Sequence, residues 1–123
     1  MAFRFRRFPV YKEALQFRRE IKELAKKYFP KEELYILFSQ IVRAADSIVL
    51  NIAEGSDRGT DLDFARFLNN SLTSLNEVVG CLDLALIDKY ITIELHREFL
   101  QKAGKLANQL SAFRKSLLEN PTK

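Results

Sequence analysis

The sequence predicts an all-α fold, namely an antiparallel, up-down-up-down four-helix bundle in a single domain. Apolar residues recur at steps of three and four along four segments, which is typical of α-helices that pack against other helices on one side. The few glycines and prolines fall at positions typical of helix ends. Short turns join the segments, and short connections favour antiparallel neighbours.

The predicted bundle occupies residues 10–119, between a basic and aromatic N-terminal arm at 1–9 and a C-terminal tail at 120–123. Helix 1 is expected over residues 10–28. Phe29-Pro30 ends it, because proline disfavours helical geometry in the residue before it. The inward face of helix 1 is expected to carry Val10, Ala14, Phe17, Ile21, Leu24 and Tyr28.

Helix 2 is expected to start just after Pro30 and to run to Glu54, with Gly55 as a left-handed C-terminal cap. Between residues 34 and 55 only Arg43, Asp46 and Glu54 are charged. A helix with so few charges is apolar on most of its circumference and must be covered on most sides. Helix 2 is therefore predicted to be both bundle core and subunit contact.

Helix 3 is expected to begin after Thr60, with Asp63 three residues later as in a capping box. Beside its apolar stripe runs a row of smaller residues, which lets another helix approach closely: Ser71, Ser74, Val78, Cys81 and Ala85. Thr92 is expected to cap helix 4. Its inward face should carry Leu95, Phe99, Ala103, Leu106, Leu110, Phe113 and Leu117.

The motif at residues 40–55, QIVRAADSIVLNIAEG, followed by RGTDLDFARFL, resembles a bacterial four-helix-bundle family. Its first known members were proteins encoded by intervening sequences in 23S ribosomal RNA genes. The resemblance spans about residues 9–118. After Ser74, Leu75 and Glu77, the acid and threonine of the family pattern are absent. The resemblance implies a ring-like homopentamer with no established enzymatic activity. A relative, the accessory protein of diversity-generating retroelements, is a similar pentamer that binds a reverse transcriptase and nucleic acid.

Apolar surface predicts assembly independently of this resemblance. Helices 2 and 3 each carry more of it than one bundle core can use, and large exposed apolar patches usually mark interfaces. A ring arises when the contact is heterologous and its rotation closes. The subunit number comes from the resemblance alone.

Composition places the chain among ordinary soluble proteins. Of 123 residues, 47% are apolar and 29% are charged, which suits one domain with one core. No apolar run approaches the length of a membrane span, and the N-terminus does not read as a secretory signal. Cys81 is the only cysteine, so no internal disulfide can form. A cytoplasmic location is expected.

The net charge of +4 hides an asymmetry, because residues 1–31 carry +7, residues 32–96 carry −7 and residues 97–123 carry +4. If the first and last helices are neighbours, they present one positive face that can bind phosphates. The alternative is that these side chains merely solvate outer helix faces. The candidate nucleic-acid-binding residues are Arg4, Arg6, Arg7, Arg18, Arg19, Lys22, Lys26, Lys27, Lys102, Lys105, Arg114 and Lys115.

The N-terminal arm alternates rings and cations and allows two interpretations. Its arginines can contact phosphates while Phe3, Phe5 and Phe8 stack on bases. Alternatively, Phe5 or Phe8 pins the arm to the bundle and the remainder stays loose.

A polar stripe on helix 2 is expected to form a structural network in which Arg43 pairs with an acid of helix 2 or 3. Clustered ionisable groups are also functional candidates, so a ligand site is the alternative. The residues concerned are Gln40, Arg43, Ser47, Asn51, Glu54 and Glu77.

No catalytic residues, cofactor or metal are predicted. His96 is the only histidine, and no serine–histidine arrangement supports nucleophilic chemistry. Glu54, Asp57, Asp61 and Asp63 lie close together in sequence, but their spacing fits no Ca²⁺ loop.

The function expected from these observations is a non-catalytic, basic oligomeric scaffold that binds RNA, DNA or a nucleic-acid enzyme. The alternatives are a protein–protein adaptor with no nucleic-acid role and, without a supporting constellation, a metal-dependent nuclease at the acidic turn. Membrane partners are not expected.

Overall fold

The computed structural model describes residues 2–119, and the predicted tail at 120–123 lies outside them. Within that part the protein is all-α, with four α-helices, two short 3₁₀ helices and no strand. The α-helices are α1 (Pro9–Tyr28), α2 (Leu37–Gly55), α3 (Asp61–Ile87) and α4 (Ile93–Glu119). The 3₁₀ helices span Arg4–Arg7 and Lys31–Glu33.

The four helices surround one core. α2 packs on α1 and α3, and α4 packs on α3 and, less extensively, on α1. The side chains buried most completely come from all four helices: Ile21, Ile41, Ile48, Ile52, Leu68, Ser71, Val78, Leu82 and Leu110. The predicted inward face of helix 1 is buried except at Tyr28, which is 37% exposed.

Local signals set several helix ends as predicted. Phe29 is extended and terminates α1 before Pro30. The Thr60 hydroxyl accepts the backbone N–H of Asp63 at 3.1 Å, and the Thr92 hydroxyl accepts that of Leu95 at 3.2 Å. These hydroxyls satisfy donors that the first turn of a helix leaves unpaired.

The predicted start of helix 2 is wrong. Residues 31–33 form a 3₁₀ turn, residues 34–36 form a further turn, and α2 begins only at Leu37. The reason is a contact distant in sequence. The Glu33 carboxylate accepts the Tyr90 hydroxyl at 2.7 Å and also the backbone N–H of Leu37 at 3.3 Å. Glu33 thereby holds the link on the α3–α4 turn and caps the later helix.

The predicted left-handed cap at Gly55 is also wrong, because no glycine in the described chain has a positive φ. Gly55 is instead the buried last residue of α2. A Cβ atom there would lie 2.5 Å from Cβ of Phe67 and 2.9 Å from Cδ1 of Phe64. Glycine is required at this point because α2 and α3 approach too closely for any side chain.

α2 is better covered within one chain than its composition suggests. Leu50, 63% exposed, is its only exposed large apolar side chain. Further exposed apolar side chains lie in the N-terminal arm, in the α1–α2 link and on the other three helices: Phe3, Leu15, Tyr28, Leu34, Tyr35, Ile36, Leu62, Leu84, Ile87, Ile93 and Leu118. The exposed apolar surface is therefore distributed over the bundle instead of concentrated on α2.

Candidate nucleic-acid interface

Arg4 of the N-terminal arm is engaged by the bundle. Its guanidinium donates to the backbone carbonyl of Ser56 at 2.7 Å through Nη2 and 3.2 Å through Nε. The same group lies over the rings of Phe8 and Phe64, 5.6 and 5.8 Å from their centroids. Arg4 thus ties the arm to the end of α2 and contributes to structure more than to an outer surface.

The arm phenylalanines are mostly used for packing. Phe5 meets Tyr11 edge to face at 4.9 Å between ring centroids, and Phe8 meets Phe113 at 5.5 Å. Only Phe3, 69% exposed, has its ring in solvent. The pinned arrangement of Phe5 and Phe8 is the one observed. It leaves Arg6 and Arg7 exposed.

α1 and α4 are neighbours, as the predicted basic face requires. Acidic side chains of α1, however, pair with lysines of α4 where the two helices meet. Lys102 lies 3.1 Å from Glu20, and Lys105 lies 3.6 Å from Glu13. Burial tends to raise the pKa of Glu20, yet hydrogen bonding to Gln16 and Lys102 outweighs it and lowers that pKa. Lys102 and Lys105 of α4 therefore contribute less to the positive potential of the protein surface than their charges alone suggest.

Two of the α1 cations are also paired. Arg18 Nε lies 2.7 Å from Asp46 Oδ1 on α2, and Arg19 Nε lies 3.7 Å from Glu23 Oε2. Lys22, Lys26 and Lys27 have no acidic partner within residues 2–119, although Lys27 lies over the Tyr28 ring at 5.3 Å.

The two cations at the end of α4 differ in surroundings. Lys115 is exposed, whereas Arg114 is half-buried and its Nε is shielded from solvent without a hydrogen-bond acceptor in the described chain. The twelve candidate cations therefore divide into two groups. Five are held by other residues of the chain (Arg4, Arg18, Arg19, Lys102 and Lys105), and seven have no acidic partner in the part of the chain that the structure describes (Arg6, Arg7, Lys22, Lys26, Lys27, Arg114 and Lys115).

The polar stripe on α2 forms a network at its centre. The Asn51 amide donates to the Ser47 carbonyl at 2.8 Å and to its hydroxyl at 3.0 Å. The Ser74 hydroxyl of α3 donates to the Ser47 hydroxyl at 2.8 Å. On the same helix Ser71 is fully buried and donates to the Ile48 carbonyl at 2.9 Å. Small polar residues therefore join α2 to α3.

The remaining members of the stripe do not enter that network. Gln40, Arg43, Glu54 and Glu77 are exposed, and none of their side chains forms a hydrogen bond or ion pair with another residue in 2–119. The expected pairing of Arg43 with an acid of helix 2 or 3 is absent within the chain. An open groove of about 590 Å³ lies on this side, lined by Tyr35, Ile36, Ser39, Gln40, Arg43, Ala44, Ser47, Ser74 and Glu77.

The acidic turn is organised by ion pairs. The Asp63 carboxylate accepts Arg66 at 2.7 Å and Arg58 at 3.1 Å, and these hydrogen bonds lower the pKa of Asp63. His96, buried on α4, contacts the Asp83 carboxylate at 2.8 Å. Among residues 2–119 no group of three or more His, Cys, Asp and Glu side chains is placed to share a metal ion.

Tyr35 is a candidate site residue that the sequence patterns did not indicate. It is 89% exposed and lines the groove beside Arg43. One signal was available, since Tyr35 falls outside the stripe at steps of three and four through Leu34, Leu37, Phe38 and Ile41.

The sequence model of one protein family, described as "23S rRNA-intervening sequence protein", matches residues 6–112. This chain belongs to that family. The match contains all of α2 and α3 and so includes the α2–α3 groove. The α1 lysines of this intervening-sequence protein also lie within the matched residues.

A solved structure supports the family assignment. It is a protein of unknown function from the S23 ribosomal protein family of Bacteroides thetaiotaomicron VPI-5482. It is 27% identical to this family member with a TM-score of 0.78, and the alignment covers 86% of this chain and 98% of the other. None of the curated proteins compared matches the sequence. No helix in residues 2–119 is both long and apolar enough to cross a membrane.

Proposed function

We propose that this chain is a non-catalytic, homo-oligomeric scaffold of the cytoplasm that binds RNA or DNA, or an enzyme acting on them, through its α1 flank. The observation that carries the proposal is the set of α1 lysines with no acidic partner among residues 2–119, namely Lys22, Lys26 and Lys27. One such flank binds phosphate weakly. Several copies on one assembly act together and raise avidity.

The proposed protomer is an antiparallel, up-down-up-down bundle, and the proposed assembly is a ring-like homopentamer, as in the accessory proteins of diversity-generating retroelements. Short links between successive helices support the antiparallel order. The outer side of α3 supports assembly, because Glu77 is the only charged residue between Phe67 and Leu82. Leu62 and Leu84 are further exposed apolar side chains of α3, and Leu50 is one of α2. Such a surface is unusual in a solvated helix and typical of an interface.

If the protein binds nucleic acid through its phosphates, the affinity depends on the salt concentration. We expect the purified protein to retard RNA or DNA, with an affinity that falls steeply as salt rises. Replacing Lys22, Lys26 and Lys27 together with glutamine should weaken binding and reduce the magnitude of the slope of log affinity against log salt by about 2–3. Lys102→Gln combined with Lys105→Gln is the matched control, because those lysines already neutralise acids of α1. An equal loss in both variants would exclude the α1 flank.

The uncharged outer side of α3 also favours a second candidate, a protein–protein adaptor with no nucleic-acid role. Under that alternative the purified scaffold binds no RNA or DNA at low salt, and a defined protein partner stays bound after nuclease treatment and at high salt. An enzyme would replace both candidates if nucleic acid were cleaved and the cleavage stopped with a chelator and with Asp57→Ala.

A further inference from the structure

Tyr35 is an aromatic side chain held in solvent. It is 89% exposed, more than any other large apolar residue described. The chain around it is anchored, since the Glu33 carboxylate is hydrogen-bonded to Tyr90 and the Ile36 N–H donates to the Glu33 carbonyl at 3.1 Å. Exposure of the ring is therefore a feature of an ordered turn.

Three cations with no acidic partner in residues 2–119, namely Lys22, Lys26 and Arg43, lie on the two helices that the turn carrying Tyr35 connects. Arg18, Lys22 and Lys26 recur at steps of four and so form one row on α1. Arg18 contacts Asp46 of α2, which places the row along α2. Lys22 and Lys26 lie between Arg18 and the α1–α2 link, and Arg43 lies between Asp46 and the same link. Lys22, Lys26 and Arg43 therefore lie on the side of the Arg18–Asp46 contact that is nearer the turn carrying Tyr35.

Acids near this turn define the path that a polyanion could take. Glu33 is held by Tyr90, and Glu32 is exposed beside it. Glu77 lies on the α3 side of the groove that Tyr35 and Arg43 line. A phosphate backbone is consequently favoured on the α1–α2 side of Tyr35 and disfavoured on the α3 side.

We propose that this surface binds a single-stranded segment of RNA or DNA, with a base stacked on Tyr35 and phosphates along Lys22, Lys26 and Arg43. The inference rests on the proposed function and adds the strand class and the place. An exposed aromatic ring beside a cationic track is the usual means of holding single strands. A duplex covers its base faces, so it can use the cations but not the ring. Phe5 and Phe8 cannot take this role, because they are packed on Tyr11 and Phe113.

The test is a fluorescence anisotropy titration of the full chain with single-stranded and duplex RNA of equal length, together with the native mass of each variant. Tyr35→Ala should weaken single-strand binding by roughly 5-fold or more, the scale of one lost stacking contact. Duplex binding should be unchanged. Tyr35→Phe, which keeps the ring, should bind the single strand like the original chain. All three proteins should have the same native mass.

The other outcomes are separable. If Tyr35→Ala weakens neither ligand, or both equally, the inference is overturned while binding by the original chain still supports the proposed function. If Tyr35→Ala lowers the native mass, Tyr35 is a contact with a second copy and the inference is overturned. If the original chain binds neither single-stranded nor duplex nucleic acid at low salt, whether RNA or DNA, the inference fails and so does direct nucleic-acid binding by the proposed scaffold.

Discussion

Arg18 on α1 and Asp46 on α2 form an ion pair in which Nε and Oδ1 are 2.7 Å apart, with about a third of each side chain exposed (33% and 40%). The pair neutralises one cation of the basic N-terminal region and joins this part of α1 to α2. We expect a double-mutant cycle with Arg18→Ala and Asp46→Ala to give a coupling of about 0.2–1 kcal/mol, which is small because partly exposed pairs are screened by water. Urea unfolding of the four proteins measures it. A coupling indistinguishable from zero would mean that the pair does not hold the helices in register.

Gly55 is predicted to be intolerant of any side chain. Gly55→Ala places a methyl group against Phe67 and Phe64, so we expect a loss of about 1–3 kcal/mol in the free energy of unfolding. Gly104→Ala is the matched control, because a Cβ there meets nothing within 4 Å. The control should gain up to about 1 kcal/mol from higher helix propensity. Equal effects at the two sites would contradict the close approach of α2 and α3.

Cys81 should react slowly with thiol reagents in the native protein. It is 2% exposed, and burial, followed by the nearby Glu77 charge, raises its pKa to about 11. The reactive thiolate is therefore scarce at neutral pH, and the sulfur is inaccessible. Labelling with a disulfide reagent should be slow without denaturant and fast in urea, in step with unfolding followed by circular dichroism. Immediate labelling of the native protein would place Cys81 outside the core.

The Asp63 carboxylate should make the free energy of unfolding depend on pH. Hydrogen bonds from Arg66 and Arg58 lower its pKa in the folded protein below the ordinary value of 3.8. A carboxyl group with a lowered pKa stabilises the folded state above its unfolded pKa, and that contribution is lost as the pH falls through the folded pKa. Asp63→Asn should therefore be less stable than the original chain near neutral pH, and the difference should shrink below about pH 3.8. A difference that is constant with pH would show that the charge of Asp63 contributes nothing.

The parts of the fold that were predictable depend on local chemistry. Proline after Phe29, and hydroxyls at Thr60 and Thr92, act on the helix ends beside them, so the sequence reveals them directly. The start of α2 was missed because it depends on Glu33 meeting Tyr90, which is distant in the sequence. The role of Gly55 has a similar cause that local sequence does not show, since the obstacle to a side chain there is the pair of Phe67 and Phe64 side chains on α3.

The candidate site was less predictable than the fold. Listing cations does not show which of them have partners, because Arg18, Lys102 and Lys105 meet acids on other helices. The residues of the polar stripe on α2 likewise divide into two groups. Ser47 and Asn51 are hydrogen-bonded at the α2–α3 contact, while Arg43 is left in an open groove. Pairing of this kind depends on how the helices pack, which the spacing of residues along one helix does not specify.

The mass of the native particle at low concentration tests the central claim most directly, because both the assembly and its multivalent binding depend on it. Sedimentation of the purified protein should give a single species of several copies, and the proposed ring corresponds to five times the chain mass of 14.3 kDa. A stable, well-behaved particle of 14.3 kDa would contradict the assembly and remove the avidity on which the proposed nucleic-acid binding relies.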